Sequence, residues 1–172
     1  MPRILVTPLS ALDDAIASHG PSHIVTLLSP EHMIPTPAGF AAERHLKLGV
    51  NDVADPAAGD SPPDRDHVER LLAFSRDWDA KKPLLIHCWA GISRSMASAY
   101  TVLCDRLGPG REVEIAMAIR RRAAHANPNL LLVRHADDIL GRNGRMLEAL
   151  KTMGPRLVLE EGVTTALPLV QL

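Results

Sequence analysis

Cys88 follows an apolar run, Pro83-Leu84-Leu85-Ile86, with His87 between them, and it leads into Trp89-Ala90-Gly91-Ile92-Ser93-Arg94-Ser95. A cysteine that only fills a core needs no such neighbours. A strand that feeds a short loop and then a helix N-terminus makes an anion site. Its backbone N–H groups and the positive end of the helix dipole converge on one point. A thiol at the start of such a loop has its ionised form favoured, and comparable electropositive settings hold cysteine pKa values of ~3.5–7.5. The chemistry is that of a nucleophile facing an anion. Arg94, five residues beyond the cysteine with the loop between, brings a planar fork able to grip two oxygens of a phosphate. Gly91 lets the backbone approach a ligand closely. Ser95 is placed to hydrogen-bond the sulfur, and His87 to order the loop from behind. Cys104 falls mid-helix beside Val102 and Leu103 and reads as core, 16 positions along from Cys88 and out of disulfide reach.

The elements that must position this loop follow from pattern. Ile4 to Thr7 read as a strand, with an amphipathic helix opening at Pro8 and closed by Gly20. His23 to Leu28 read as a second strand and Arg44 to Val50 as a third. A Pro-, Gly- and Asp-rich loop runs on to Pro63. Asp64 or Asp66 caps the next helix, through Val68, Leu71, Leu72 and Trp78. Leu84 to His87 make a short buried strand, and the helix after the loop runs to Gly108. Further helical patterns cover Glu112 to Ala124, Leu130 to Leu140 and Met146 to Met153. The expected fold class is α/β, a central mostly parallel sheet flanked by helices, with a helical C-terminal half. One domain is expected over 1–154, with 155–172 left as a C-terminal tail of no usable period.

Composition narrows the function. The 172 residues are 46% hydrophobic and 23% charged, ordinary for a globular protein. A net charge of −1 offers no strongly basic surface, so no nucleic-acid partner is expected. Two cysteines are too few for a disulfide framework or a structural zinc site, and the scattered histidines form no ligand pair. No apolar run approaches the ~20 residues of a membrane helix, and Asp13-Asp14 argue against a signal peptide. The expected setting is the cytoplasm, where a thiol stays reduced. Arg120-Arg121-Arg122 ends a helix and reads first as a solvated face.

The stretch His87 to Ser95 resembles His-Cys-x5-Arg-Ser/Thr, the signature of the cysteine-based protein tyrosine phosphatases, and its ending resembles the dual-specificity-like bacterial branch. Rhodanese-like enzymes place only four residues between cysteine and arginine. The low-molecular-weight phosphatases carry their loop near the N-terminus, whereas 87 residues precede Cys88. The resemblance implies a phosphatase-like fold and a metal-independent phosphomonoesterase with no cofactor, working through a cysteinyl-phosphate. Trp89, Ala90, Gly91, Ile92, Ser93 and Arg94 would hold the phosphate or another oxyanion. It also implies a general-acid aspartate some thirty-odd residues before the cysteine. Asp52, 36 positions upstream and directly after Asn51, fits better than Asp55, 33 upstream and before a proline. Pro128-Asn129 is similar to the Pro-Asn stretch that opens a late helix in the family, where the asparagine braces the phosphate loop; a plain helix cap is the equal alternative.

The expected substrate is a phosphorylated protein, phosphotyrosine first. A small phosphorylated metabolite or nucleotide comes second, and an inositol lipid is disfavoured because the loop has no lysine. A non-catalytic phospho-residue binding module is the alternative from another class. A thiol redox enzyme would want a resolving cysteine near Cys88.

Overall fold

The computed structural model describes residues 2–169. Five strands, β1 (Arg3–Pro8), β2 (His23–Leu28), β3 (His45–Gly49), β4 (Leu84–Cys88) and β5 (Thr165–Pro168), form one sheet in the order β3-β2-β4-β1-β5. β1 to β4 are mutually parallel and β5 runs antiparallel to β1. Six helices accompany them: α1 (Leu12–His19), α2 (Arg65–Asp77), α3 (Arg94–Leu107), α4 (Glu112–Arg122), α5 (Leu130–Ile139) and α6 (Arg145–Lys151). This is the mixed α/β architecture expected.

The strands are apolar on both faces because both are covered. Ile4, Val6, Val25, Leu27, Leu84 and Ile86 enter the large core against α2 to α6. The alternate residues Leu5, Ile24 and Leu85 pack with Leu12 and Ala15 of α1 in a smaller core. Period-two alternation inside a continuous apolar run marks a strand buried on two sides. From β1 the chain passes through α1 to β2, beyond the place that β4 later fills. From β3 it returns through α2 to β4. Right-handed crossovers in opposite directions put their helices on opposite faces. The carboxyl ends of β1 and β4 therefore meet at a topological switch point, the usual ligand crevice of such sheets. Cys88, paired with Pro8 in the β1–β4 register, stands there.

Two stretches differ from the sequence reading. The helix expected from Pro8 begins as a 3-10 turn, Leu9–Ala11, before α1, because Pro8 itself stays extended at the end of β1. The segment from 155 is more than a tail. It passes over the Cys88 end of the sheet and supplies β5, with Thr165 and Leu167 buried and Ala166 exposed. Four residues are too few for a period to show. Residues 170–172 of that expected tail lie outside the described residues.

Candidate active site

The loop 89–93 connects β4 to α3, and its backbone is oriented by the carbonyls. The Trp89 carbonyl accepts from the Leu9 N–H (3.0 Å), Ala90 from Gly162 (2.8 Å), Ile92 from Asn127 (3.0 Å) and Ser93 from Asn129 (3.3 Å). In a trans peptide the following N–H points the opposite way. With those four carbonyls turned outward into the protein, the N–H groups of Ala90, Gly91, Ser93 and Arg94 turn inward, toward the cavity above Cys88. Gly91 is required on two counts. Its φ is +70°, and a Cβ there would sit 2.7 Å from the Pro8 nitrogen. The loop is thus pressed onto β1 by a contact that only glycine permits.

The cavity holds about 600 Å³ and is lined by Cys88, Trp89, Ile92, Arg94, Asp52 and Asn129, among others. Cys88 is buried, and its Sγ lies 3.1 Å from the Ser95 hydroxyl. Arg94 is the first residue of α3 and is more than nine-tenths buried as a residue. One Nη donates to the Val50 carbonyl at 2.8 Å, while Nε is buried without a protein partner. Burying an unpartnered guanidinium nitrogen is unfavourable unless an anion completes the site. Trp89 is 55% exposed at the rim, with its ring edge-on to His32.

Asp52 is exposed, but one oxygen is anchored. Its Oδ1 accepts from the Ser93 hydroxyl at 2.7 Å and from Asn129 Nδ2 at 2.9 Å. Among the described residues no protein hydrogen bond holds the other oxygen, and Asp52 lines the cavity. Asp55 does not line the cavity; its carboxylate accepts the Ala57 N–H in a local turn. Asn129 is the cap of α5, and its side chain reaches the loop that carries Asp52 rather than the phosphate loop, which only its backbone N–H touches, at Ser93. Its Oδ1 caps α5 by accepting the N–H groups of Leu131 and Leu132, and its Nδ2 reaches Asp52 and the Val53 carbonyl.

His87 lies beneath the loop, fully buried. Its Nε2 is 2.7 Å from the Thr26 hydroxyl, which is in turn 2.8 Å from His45 Nε2. A hydroxyl has one proton to give, so one imidazole accepts it and the other donates its own N–H. Burial holds both rings neutral, with pKa values lowered to about 4. Thr26 and His45 were not foreseen, since a threonine in a strand carries no signal of its own. Nor were Arg156 and Leu159, which line the cavity from the return segment. Among the described residues no three His, Cys, Asp or Glu side chains gather as a metal-binding group, and no helix is long and apolar enough to cross a membrane.

No family model and no curated protein matches the sequence. Solved structures do match. Human DUSP28 is 22% identical with a TM-score of 0.60, the match covering 90% of this chain and 97% of that one. DUSP15 is 18% identical at 0.60, covering 92% and 94%. PTPMT1 is 16% identical at 0.60, covering 88% and 96%, and a second structure of it, matching at 0.54, is a complex with PI(5)P. The chain therefore has the α/β fold of the dual-specificity and protein tyrosine phosphatases.

Proposed function

We propose that the protein is a metal-independent phosphomonoesterase, acting first on phosphotyrosine in proteins. The observation that carries this is the loop itself: four outward carbonyls, their inward N–H groups, and the unpartnered Nε of Arg94 all surround one thiol. Such a cradle matches the equatorial oxygens of a phosphoryl group in transfer.

In this reading the Cys88 thiolate attacks phosphorus in line and the bond to the leaving oxygen breaks. Asp52, protonated on the oxygen not held by Ser93 and Asn129, gives its proton to that oxygen. A water then attacks the cysteinyl-phosphate. Asp52 takes the water's proton, the S–P bond breaks, and inorganic phosphate and the thiolate are restored. The Ser95 hydroxyl, 3.1 Å from sulfur, stabilises the thiolate as it leaves. His87, held neutral beneath the loop and bonded to Thr26, takes no part in proton transfer. The exposed face of Trp89 suits an aryl ring at the mouth. PTPMT1 with its bound phosphoinositide keeps an inositol phosphate among the substrates worth assaying, though this loop has no lysine.

The test is hydrolysis of an aryl phosphate and a phosphotyrosyl peptide with and without a chelator. Turnover unaffected by chelator and blocked competitively by vanadate supports the reading. Activity lost in chelator overturns it. Tight oxyanion binding without any turnover would instead make the protein a phospho-residue binding module.

A further inference from the structure

We propose that His125 and Gly162 are positioning residues for the phosphate loop, His125 as a spacer and Gly162 as the backbone it holds off; the catalytic consequence rests on the phosphatase reading above. Neither residue lines the cavity. Each belongs to a segment that supplies one of the donors holding the loop. The connection from α4 to α5 gives the Asn127 N–H to Ile92 at 3.0 Å, and the return segment before β5 gives the Gly162 N–H to Ala90 at 2.8 Å. His125, buried, stands between the two segments and meets Gly162 with one edge of its ring. A Cβ at Gly162 would lie 2.6 Å from His125 Nε2, 2.7 Å from its Cδ2 and 3.2 Å from the Gly91 carbonyl oxygen. The φ of Gly162 lies outside the left-handed region, so its conformation does not call for glycine. Space alone does.

His125 acts by shape. Its Nε2 is buried with no hydrogen-bond partner among the described residues. Burial first, and then the nearby Arg120, hold the ring below its ordinary value and therefore neutral. Both segments are anchored on either side of the contact. The Leu157 N–H donates to the Ala124 carbonyl at 2.9 Å, and the Thr164 hydroxyl meets that of Thr7 at 2.9 Å. The Ala123 N–H donates to Ile119 at 2.8 Å and the Ala126 N–H to Ala123 at 3.0 Å. Gly91 is pressed onto β1 as well, where a Cβ would sit 2.7 Å from the Pro8 nitrogen. A change in the spacing of His125 and Gly162 therefore passes to the peptide between Ala90 and Gly91. The N–H of that peptide is one of those turned toward Cys88, and misplacing such a group by about 1 Å costs on the order of 10²-fold in rate.

The experiment measures three things well below each variant's Tm: the amide NMR signals of Ala90 to Arg94, the affinity for vanadate, and kcat and KM for an aryl phosphate. Gly162→Ala should move the loop signals, weaken vanadate by about tenfold and lower kcat by about 10²-fold, with a smaller change in KM. Adding His125→Ala to it opens room for the new methyl. The double variant should recover most of the lost kcat, though not all, because the approach to the Gly91 carbonyl remains. His125→Ala by itself should lower kcat by about tenfold, whereas His125→Leu, which keeps the bulk, should stay within about threefold of wild type. Val163→Ala, next door and exposed, should stay within about twofold in every readout. A fall in Tm with loop signals and vanadate affinity unchanged in Gly162→Ala makes the contact structural only and overturns the proposal. A double variant no better than Gly162→Ala, or an unaltered His125→Ala, overturns His125 as the spacer, and the second of these holds even where Gly162→Ala does not fold. Loop signals that move in Gly162→Ala and return in the double variant, in a protein whose wild type shows no turnover, defeat the phosphatase reading and leave the positioning standing.

Discussion

The two cysteines are both buried and sixteen positions apart, yet their surroundings have little in common. Cys104 sits on the inner face of α3 among apolar side chains, and burial pushes its thiol up to about 12. Cys88 sits at the carboxyl end of β4, beside a loop whose N–H groups turn inward, with the Ser95 hydroxyl 3.1 Å from its sulfur and Arg94 lining the same cavity. Burial by itself makes a thiol inert. What distinguishes Cys88 is the direction of the dipoles around it, and that direction is enforced from outside the loop, by Leu9, Asn127, Asn129 and Gly162.

Exchanging the nucleophile breaks this contrast most sharply. Cys88→Ser should lower turnover by more than about 10⁴-fold while the variant still binds vanadate, because a hydroxyl is not ionised at neutral pH. Hydrolysis that persists in it without added metal would place the nucleophile elsewhere.

The acid comes next. Asp52→Asn should slow a phenyl or tyrosyl phosphate by ~10²–10⁴ and an ester with a low-pKa leaving group much less. Asp55→Asn, outside the cavity, is the control; leaving-group dependence in that variant alone would reverse the assignment. Arg94→Lys, which trades a fork for a point charge, should cost about 10²–10³ in kcat with a smaller fall in Tm. Equal rates for the lysine and arginine proteins would show that the phosphate does not use the fork.

Thr26→Val sharpens the comparison from below the loop. It removes the hydroxyl shared by His87 and His45 and should lower stability by about 1–3 kcal/mol, read as a drop in Tm. Both histidines are held near 4 in the fold, below an ordinary value of 6.5, so the unfolded chain binds more protons between those limits. Their contribution is complete above about pH 6.5 and is lost as pH falls toward 4. A Tm that stays level through that window would mean the rings are charged in the fold. The smallest effect is expected at Cys104→Ala, with a loss of about 1 kcal/mol from one buried sulfur and a rate within about twofold of wild type. A large loss of activity there, in a protein that remains folded, would tie the core of α3 to the loop.

The strands and the loop were legible because their signals are local. Alternating and continuous apolar runs marked β1, β2 and β4, and the spacing of Cys88, Gly91, Arg94 and Ser95 marked a strand-to-helix anion site. Asp64 or Asp66 was legible as the cap; the structure puts the cap at Asp64, which His67 closes into a capping box. Asp52 stood out only through the family resemblance, and Asn129 through that resemblance or as a plain helix cap. Their hydrogen bond at 2.9 Å spans 77 positions of sequence, a distance that no periodicity encodes.

By itself, then, the sequence determined which residues carry reactive groups and which segments can bury an apolar face, since thiol chemistry, backbone propensity and periodicity act over a few residues. Only the tertiary structure decided where those groups meet. It turned the loop carbonyls outward onto four distant N–H groups. It also brought Arg156 into the cavity of Cys88 by returning the last segment to pair as β5. Such contacts join chain segments that share no local pattern, and they exist because closing the sheet edge buries Thr165 and Leu167 against β1.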